Sequence, residues 1–417
     1  MHWTAFLITG LTATVAASSK PALPFSTSGR NIVDHDGHAF LYHGTNWPGH
    51  LEAMIPEGLQ YSSIHDIVQK IRGFGLNSVR LTYATQMVDE IYAKGHDTSL
   101  ADSLTTALGA GNATKVLGQI LSHNPQFTAK TTRLQVYDAV ATELAKQGIV
   151  THLDNHVSKA VWCCLPGDGN GWFGERYFNV DQWIRGWRYM AEHASANWPT
   201  FASVGLRNEV RNAILEGEPY DWYTWYIHMT AAAAAVHDVA PDALIFFGGL
   251  SSSTDDSPLP QGWPLLGTPL TSTGGKVAYF NPDVLPYQKK IVLEIHKYDS
   301  FVIPYNGPCS LWKWDFYGKG FAALDGDAKY TLPIVLSEYG FAQDGEYYKK
   351  KYNHCMIEFM QEHKFGFMQW ALQGSYYLRQ GTIDSDESWG LLDHSWTGTR
   401  SVATVQNSLN LMLAAQK

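Results

Sequence analysis

The chain is predicted to be an α/β protein, a single (β/α)8 barrel of the TIM type. Three observations lead there: eight short apolar or β-branched runs bounded by turn residues, helical stretches between them, and polar residues gathered at the C-terminal ends of six runs. The runs are Ala39–Gly44, Ser78–Tyr83, Gly148–Asn155, Ser203–Glu209, Ala243–Gly249, Ile291–Tyr298, Pro333–Gly340 and Phe365–Leu372. The helical stretches are Ser63–Phe74, Arg133–Gln147, Val180–Asn197, Trp222–Ala240 and Glu346–His363. Strand followed by helix, repeated, implies a parallel sheet, and eight parallel strands with right-handed crossovers close into a barrel. An open doubly wound sheet would carry a glycine-rich phosphate loop after its first strand, and His43-Gly44-Thr45-Asn46-Trp47-Pro48 is no such loop.

The order along the chain begins with an apolar stretch, Ala5 to Ala16, too short to span a bilayer and followed by small residues, so residues 1–17 are expected to be a secretory signal peptide. Residues 18–417 are expected to form one catalytic domain; no linker marks off a second module, and 45% hydrophobic residues suffice for a large core. Two long insertions, Val88–Thr132 and Ser251–Gln288, both follow strands and are expected to rise at the rim where loops set specificity. Four cysteines, Cys163, Cys164, Cys309 and Cys355, form no CxxC zinc pattern. In a secreted chain they predict disulfides, and since neighbouring cysteines rarely bond to each other, bridges from Cys163 and Cys164 to Cys309 and Cys355 are expected, with the pairing open. Asn112-Ala113-Thr114 is a glycosylation sequon.

Composition narrows the partner. A net charge of -9 with no long run of one sign argues against nucleic acid. No later stretch is apolar enough to span a membrane, and a monomer with a neutral partner is expected. The 15 Trp and 22 Tyr are mostly core material, yet they also suit a protein that stacks on the flat faces of sugars.

The chemistry is expected where the strands end. There stand Arg80, Asp154-Asn155-His156, Arg207-Asn208-Glu209, His296-Lys297-Tyr298, Glu338-Tyr339 and Trp370. A barrel built for stability alone would not place so many charges together. Cleaving a glycosidic bond takes one carboxylic acid to protonate the leaving oxygen and one carboxylate to attack, and Glu209 and Glu338, on the fourth and seventh strands, offer that pair at about 5 Å. A metal-dependent hydrolase would need clustered His and Asp ligands, for which Asp154-Asn155-His156 is the lone hint, so no metal and no cofactor are expected.

The strings Leu206-Arg207-Asn208-Glu209, His296-Lys297-Tyr298, Leu336-Ser337-Glu338-Tyr339-Gly340 and Gln369-Trp370 resemble glycoside hydrolase family 5, the cellulase family of the retaining (β/α)8 clan, over about Ala39 to Leu392. The resemblance implies that Glu209 is the acid/base and Glu338 the nucleophile. It also implies that Asn208 binds the sugar 2-hydroxyl, that Arg80 and Tyr298 flank Glu338, that His156 and His296 line the cleavage subsite, and that Trp370 is the stacking platform. Family members commonly carry Pro after the acid/base; here Val210 and Arg211 follow, and Arg211 is expected to bring a charge toward the leaving-group side. Trp47, His50, Trp162, Trp172, Tyr376, Tyr377 and Trp389 are candidates for further sugar contacts, and Asp384-Ser385-Asp386-Glu387 reads as a solvated acidic loop.

The expected activity is therefore that of a secreted retaining β-glycoside hydrolase on a β-linked glucan. A β-mannanase, an exo-β-glucosidase or a diglycosidase on the same scaffold is the alternative within enzymes, and a non-catalytic carbohydrate-binding barrel the alternative outside them.

Overall fold

Eight of the chain's strands pair in parallel and close on themselves, as seen in a computed structural model that describes residues 21–213, 216–269, 275–299 and 304–416. The strands are β1 (His43–Trp47), β2 (Ser78–Ala84), β3 (Val150–Val157), β4 (Phe201–Gly205), β5 (Leu244–Gly248), β6 (Ile291–Tyr298), β7 (Ile334–Gly340) and β8 (Gly366–Gln369). The ring closes where Phe367 of β8 pairs with His43 of β1, and β5 meets β6 through Ile245 and Ile291. The expected signal peptide lies outside the described residues.

Seven expected strands coincide with barrel strands to within a few residues. The first is displaced: Ala39–Phe40 belongs to a small antiparallel sheet with Ser26–Ser28 and Asn31–Val33, and the barrel strand begins at His43. The reason is packing. Phe25, Ile32 and Tyr42 pack with Val150, Ala202, Leu244, Val292 and Val335, residues near the starts of five barrel strands, so this sheet stoppers the barrel's lower end.

The helices form where caps and apolar spacing agree. In α1 (Ile64–Gly73) Ile64, Ile67, Val68 and Ile71 are buried, the spacing of one helical face, and the Ser63 side chain accepts from the Asp66 amide. A Thr132–Gln135 capping box starts α2 (Arg133–Lys146), Asn179 caps α3 (Val180–Asn197) and Asp221 caps α4 (Trp222–Val239). The first long insertion is helical, holding Thr85–Lys94, Leu100–Leu108 and Ala110–His123. The second carries a two-stranded sheet, Pro264–Leu266 with Val277–Tyr279.

The cysteine expectation is overturned. Cys309, at the start of α5 (Cys309–Phe316), bonds to Cys355 in α6 (Lys351–His363), with Cα atoms 5.1 Å apart, and Cys163 bonds to its neighbour Cys164. The fold brings two helices together at Cys309 and Cys355 and holds Cys163 and Cys164 beside Glu209. No described helix is long and apolar enough to cross a membrane.

Candidate active site

Side-chain alternation along the strands decides which residues reach the barrel interior. On β1, Asn46 points inward and accepts from Arg80 Nη1 at 2.9 Å, so its neighbour Trp47 points the other way. Trp47 is fully buried, donates its indole N–H to the Glu57 carbonyl and packs on Trp396. It is therefore a core residue and makes no part of the pocket, contrary to expectation; Asn46, which sequence reading passed over, lies buried beneath the pocket and holds Arg80. Trp172 and Tyr377 are likewise buried away, bonded through Trp172 Nε1 to the Glu218 carbonyl and through the Tyr377 hydroxyl to the Pro56 carbonyl.

The segment after β4 is tied down so that Glu209 projects inward. Trp183 and Trp187 of α3 both donate to the Leu206 carbonyl, the Asn208 amide donates to the Asn155 carbonyl, and Arg207 reaches Asn155 Oδ1 at 2.7 Å while stacking over Phe178. Glu209 itself has φ of 44°, a left-handed conformation that a non-glycine residue holds only when its surroundings enforce it.

Arg80, wholly buried, organises the centre. Its Nη1 donates to Glu338 Oε1 at 2.8 Å, and its Nη2 to Asp154 Oδ1 at 2.7 Å and Asn208 Oδ1 at 2.9 Å. The Tyr298 hydroxyl donates to Glu338 Oε2 at 2.8 Å. His296 Nδ1 lies 3.0 Å from Glu209 Oε1 and 3.5 Å from Glu338 Oε2, and the three groups fall within 4.8 Å of one another. His156 Nδ1 sits 2.7 Å from Asp154 Oδ2. Arg80 and His296 thus stand behind the two carboxylates, fully buried.

Above them opens a cavity of about 500 Å3 lined by Asn208, Glu209, Glu338, Tyr298 and Trp370, with His50, His156, Trp162 and Trp389 around the wall. The rings are in series: His50 stacks on His156 at 4.0 Å, His156 on Trp370 at 5.4 Å, and Trp162 meets Trp370 edge-on at 6.4 Å. A hairpin after β8, β9 (Ser375–Arg379) with β10 (Thr382–Asp386), supplies a wall that the sequence did not announce. Arg379 lies 3.7 Å over the Trp162 ring and bonds to Glu387, which also accepts from the Tyr376 hydroxyl. Glu387 is buried in the lining rather than solvated, whereas Asp384 and Asp386 remain exposed and pair with His394 and Arg400. Arg211 does not enter the cavity; its guanidinium bonds to Asp168, the Leu165 carbonyl and the Glu209 carbonyl.

The electrostatics separate the two glutamates. Burial raises the Glu209 carboxyl to about 7, against the pull of Arg211 and Arg80. Burial raises Glu338 too, but His296 and Arg80 oppose it. An acid held protonated near neutrality beside a second carboxylate within 4.8 Å is the arrangement for bond cleavage through a covalent intermediate.

The comparisons agree. The family model Cellulase (glycosyl hydrolase family 5) matches residues 33–375. The chain belongs to glycosyl hydrolase family 5. A glycosyl hydrolase 5 family protein of Chamaecyparis obtusa is 32% identical over 410 residues, 95% of this chain and 67% of that protein. An endoglucanase of Paenibacillus polymyxa is 24% identical over 410 residues, 94% of this chain and 88% of its own. Among solved structures, a cellotetraose complex of the endocellulase from Pyrococcus horikoshii superposes with a TM-score of 0.67 at 17% identity, covering 96% of this chain and 100% of that one, which shows the shared barrel. This family 5 chain is a retaining glycoside hydrolase.

Proposed function

We propose that the chain is a secreted endoglucanase-like enzyme that cleaves a β-linked glucan by double displacement, with Glu338 as nucleophile and Glu209 as acid/base. The observation that carries the reading is the approach of the two carboxylates within 4.8 Å, the short separation of retaining enzymes, with His296 between them. Glu338, held by Arg80 and Tyr298, attacks the anomeric carbon while Glu209 gives its proton to the leaving oxygen. Glu209 then takes a proton from water, which releases the sugar from Glu338. Asn208, anchored by Arg80 and with its amide nitrogen beside the Cys163 and Cys164 sulfurs, lines the cavity and donates an amide N–H to the sugar 2-hydroxyl, where a bond that tightens in the transition state speeds the reaction. Trp370 supports the sugar ring at the cleavage point, with His156 beneath it.

The names of the Paenibacillus and Pyrococcus relatives favour endo cleavage of glucan. The hairpin wall of Arg379, Glu387 and Trp162 favours a second reading, an exo-acting or diglycoside-cleaving enzyme, because it narrows one side of the cavity. Residues 1–17 act as the export signal in this proposal, residues 18–417 as one catalytic domain, and the enzyme works as a monomer.

The test is hydrolysis of a panel of β-glucans, mannans and aryl glycosides by the purified protein beside Glu338→Ala. Cleavage of glucan with falling viscosity, lost in the variant, supports endo action. Release of single sugars or disaccharides from chain ends selects the second reading, and equal activity in the variant overturns both.

A further inference from the structure

The Cys163–Cys164 disulfide lies in the active-site wall. Both residues line the cavity, and their sulfurs lie within 4.8 Å of the Glu209 carboxylate. The Asn208 side-chain amide is aimed at both, 3.6 Å from Cys163 Sγ and 3.5 Å from Cys164 Sγ. The placement is enforced from below. Arg211 bonds at once to Asp168, to the Leu165 carbonyl and to the carbonyl of Glu209 itself, so the loop that carries the cysteines is fastened to the backbone of the residue it covers. The Asn170 side chain accepts from the amides of Ser158 and Lys159 and closes the base of the same loop. Arg211, two residues after Glu209, thereby holds the loop of the disulfide in place.

A disulfide offers no strong hydrogen bond to a carboxylate and no flexible side chain to swing aside. We propose that the Cys163–Cys164 disulfide is a positioning element of the active site, a fixed apolar sulfur wall that closes one side of Glu209 to solvent, leaves its cavity side open to the water of the second step, and steadies the Asn208 amide beside the bound sugar. The inference rests on the acid/base reading of Glu209. The other groups that face Glu209 are His296 and Tyr298 from β6, Glu338 from β7, Arg80 from β2, Asp154 from β3 and Arg211 from its own segment. These side chains are unaltered in the variants, and the apolar pair controls for movement of Arg211, whose Nη1 lies 4.0 Å from Cys163 Sγ, so a change in Glu209 that this pair restores reports the wall. The burial that raises Glu209 is consistent with that role.

The experiment begins with non-reducing peptide mapping of the intact protein, which should find Cys163 bonded to Cys164 within one peptide. Cys163→Ser/Cys164→Ser is then compared with Cys163→Ala/Cys164→Val and with Cys309→Ser/Cys355→Ser. Infrared difference spectra against Glu209→Gln follow the carboxyl of residue 209 through pH and need no turnover; kcat/KM profiles follow it in catalysis. The serine pair should lower the midpoint of Glu209 by about half a pH unit or more, because hydroxyls and water favour the charged form. The apolar pair should restore most of the midpoint, and the Cys309/Cys355 variant should leave it unmoved. A bridge from Cys163 or Cys164 to another cysteine, free thiols at both, or an unmoved midpoint in the serine pair would overturn the proposal. A shifted midpoint in the spectra of an enzyme whose Glu209→Gln variant retains full activity would instead sink the acid/base reading and leave the wall standing.

Discussion

Arg80 and Glu338 meet at 2.8 Å inside the barrel, and the same guanidinium also holds Asp154 and Asn208. One buried cation therefore fixes Glu338, the proposed nucleophile, together with Asp154 and Asn208. Arg80→Ala leaves two buried carboxyls without their partner. It should destabilise the fold by roughly 3–5 kcal/mol, read by denaturant melts, and should lower kcat by orders of magnitude. Normal stability with normal kcat would show that the pairing is dispensable.

Glu209 ties stability to pH. Its carboxyl is raised to about 7 in the fold from an ordinary 4.5, so the folded chain binds more protons than the unfolded one between those values. Stability contributed at this site falls as pH rises through that window. Glu209→Gln should accordingly match the wild type at pH 4 and exceed it by roughly 2–3 kcal/mol at pH 8. In catalysis kcat/KM should fall above about 7 as Glu209 ionises, and fall again at low pH as Glu338 gains a proton. A flat profile across neutrality would count against Glu209 as the acid.

Trp370 lines the cavity with the His156 ring stacked 5.4 Å from its own. Removing the ring in Trp370→Ala should raise KM for short oligosaccharides by roughly tenfold, the worth of a lost aromatic face, with a further loss in kcat as the sugar shifts from Glu338. Initial-rate kinetics on a soluble oligosaccharide decide the matter. An unchanged KM would remove Trp370 from the site.

Cys309 and Cys355 close a loop with a sequence separation of 46 residues. Their replacement by serine should cost about 2–4 kcal/mol of stability through the greater freedom of the unfolded chain, while the kinetics stay as they were because the bridge joins α5 to α6 away from the carboxylates. Loss of activity at a temperature where the variant remains folded would contradict this.

The barrel was legible because a strand and the helix after it are local patterns, written in runs of apolar residues a few positions long. That Glu209 and Glu338 would meet was legible for a related reason: strand ends converge at one mouth whatever the details of packing. Other features depend on distance in space. Trp47 and Trp370 both stand at the ends of barrel strands, and the inward turn of Asn46 on β1 excludes Trp47 from the cavity. The period-two alternation does carry that information, once the strand is known to begin at His43 rather than Ala39. Which cysteines bond, and that Glu387 folds back under Arg379 and Tyr376 instead of meeting solvent, are set by loop paths that no short pattern encodes.

Phe25, Tyr42 and their neighbours plug the end of the barrel opposite the carboxylates. In the proposed reaction the glycan, the water that completes each turnover and the cleaved sugar would therefore share the mouth lined by Trp162, Trp370 and Trp389. On that reading arrivals and departures queue there, and a fragment that lingers on Trp370 would bar the next chain from entering.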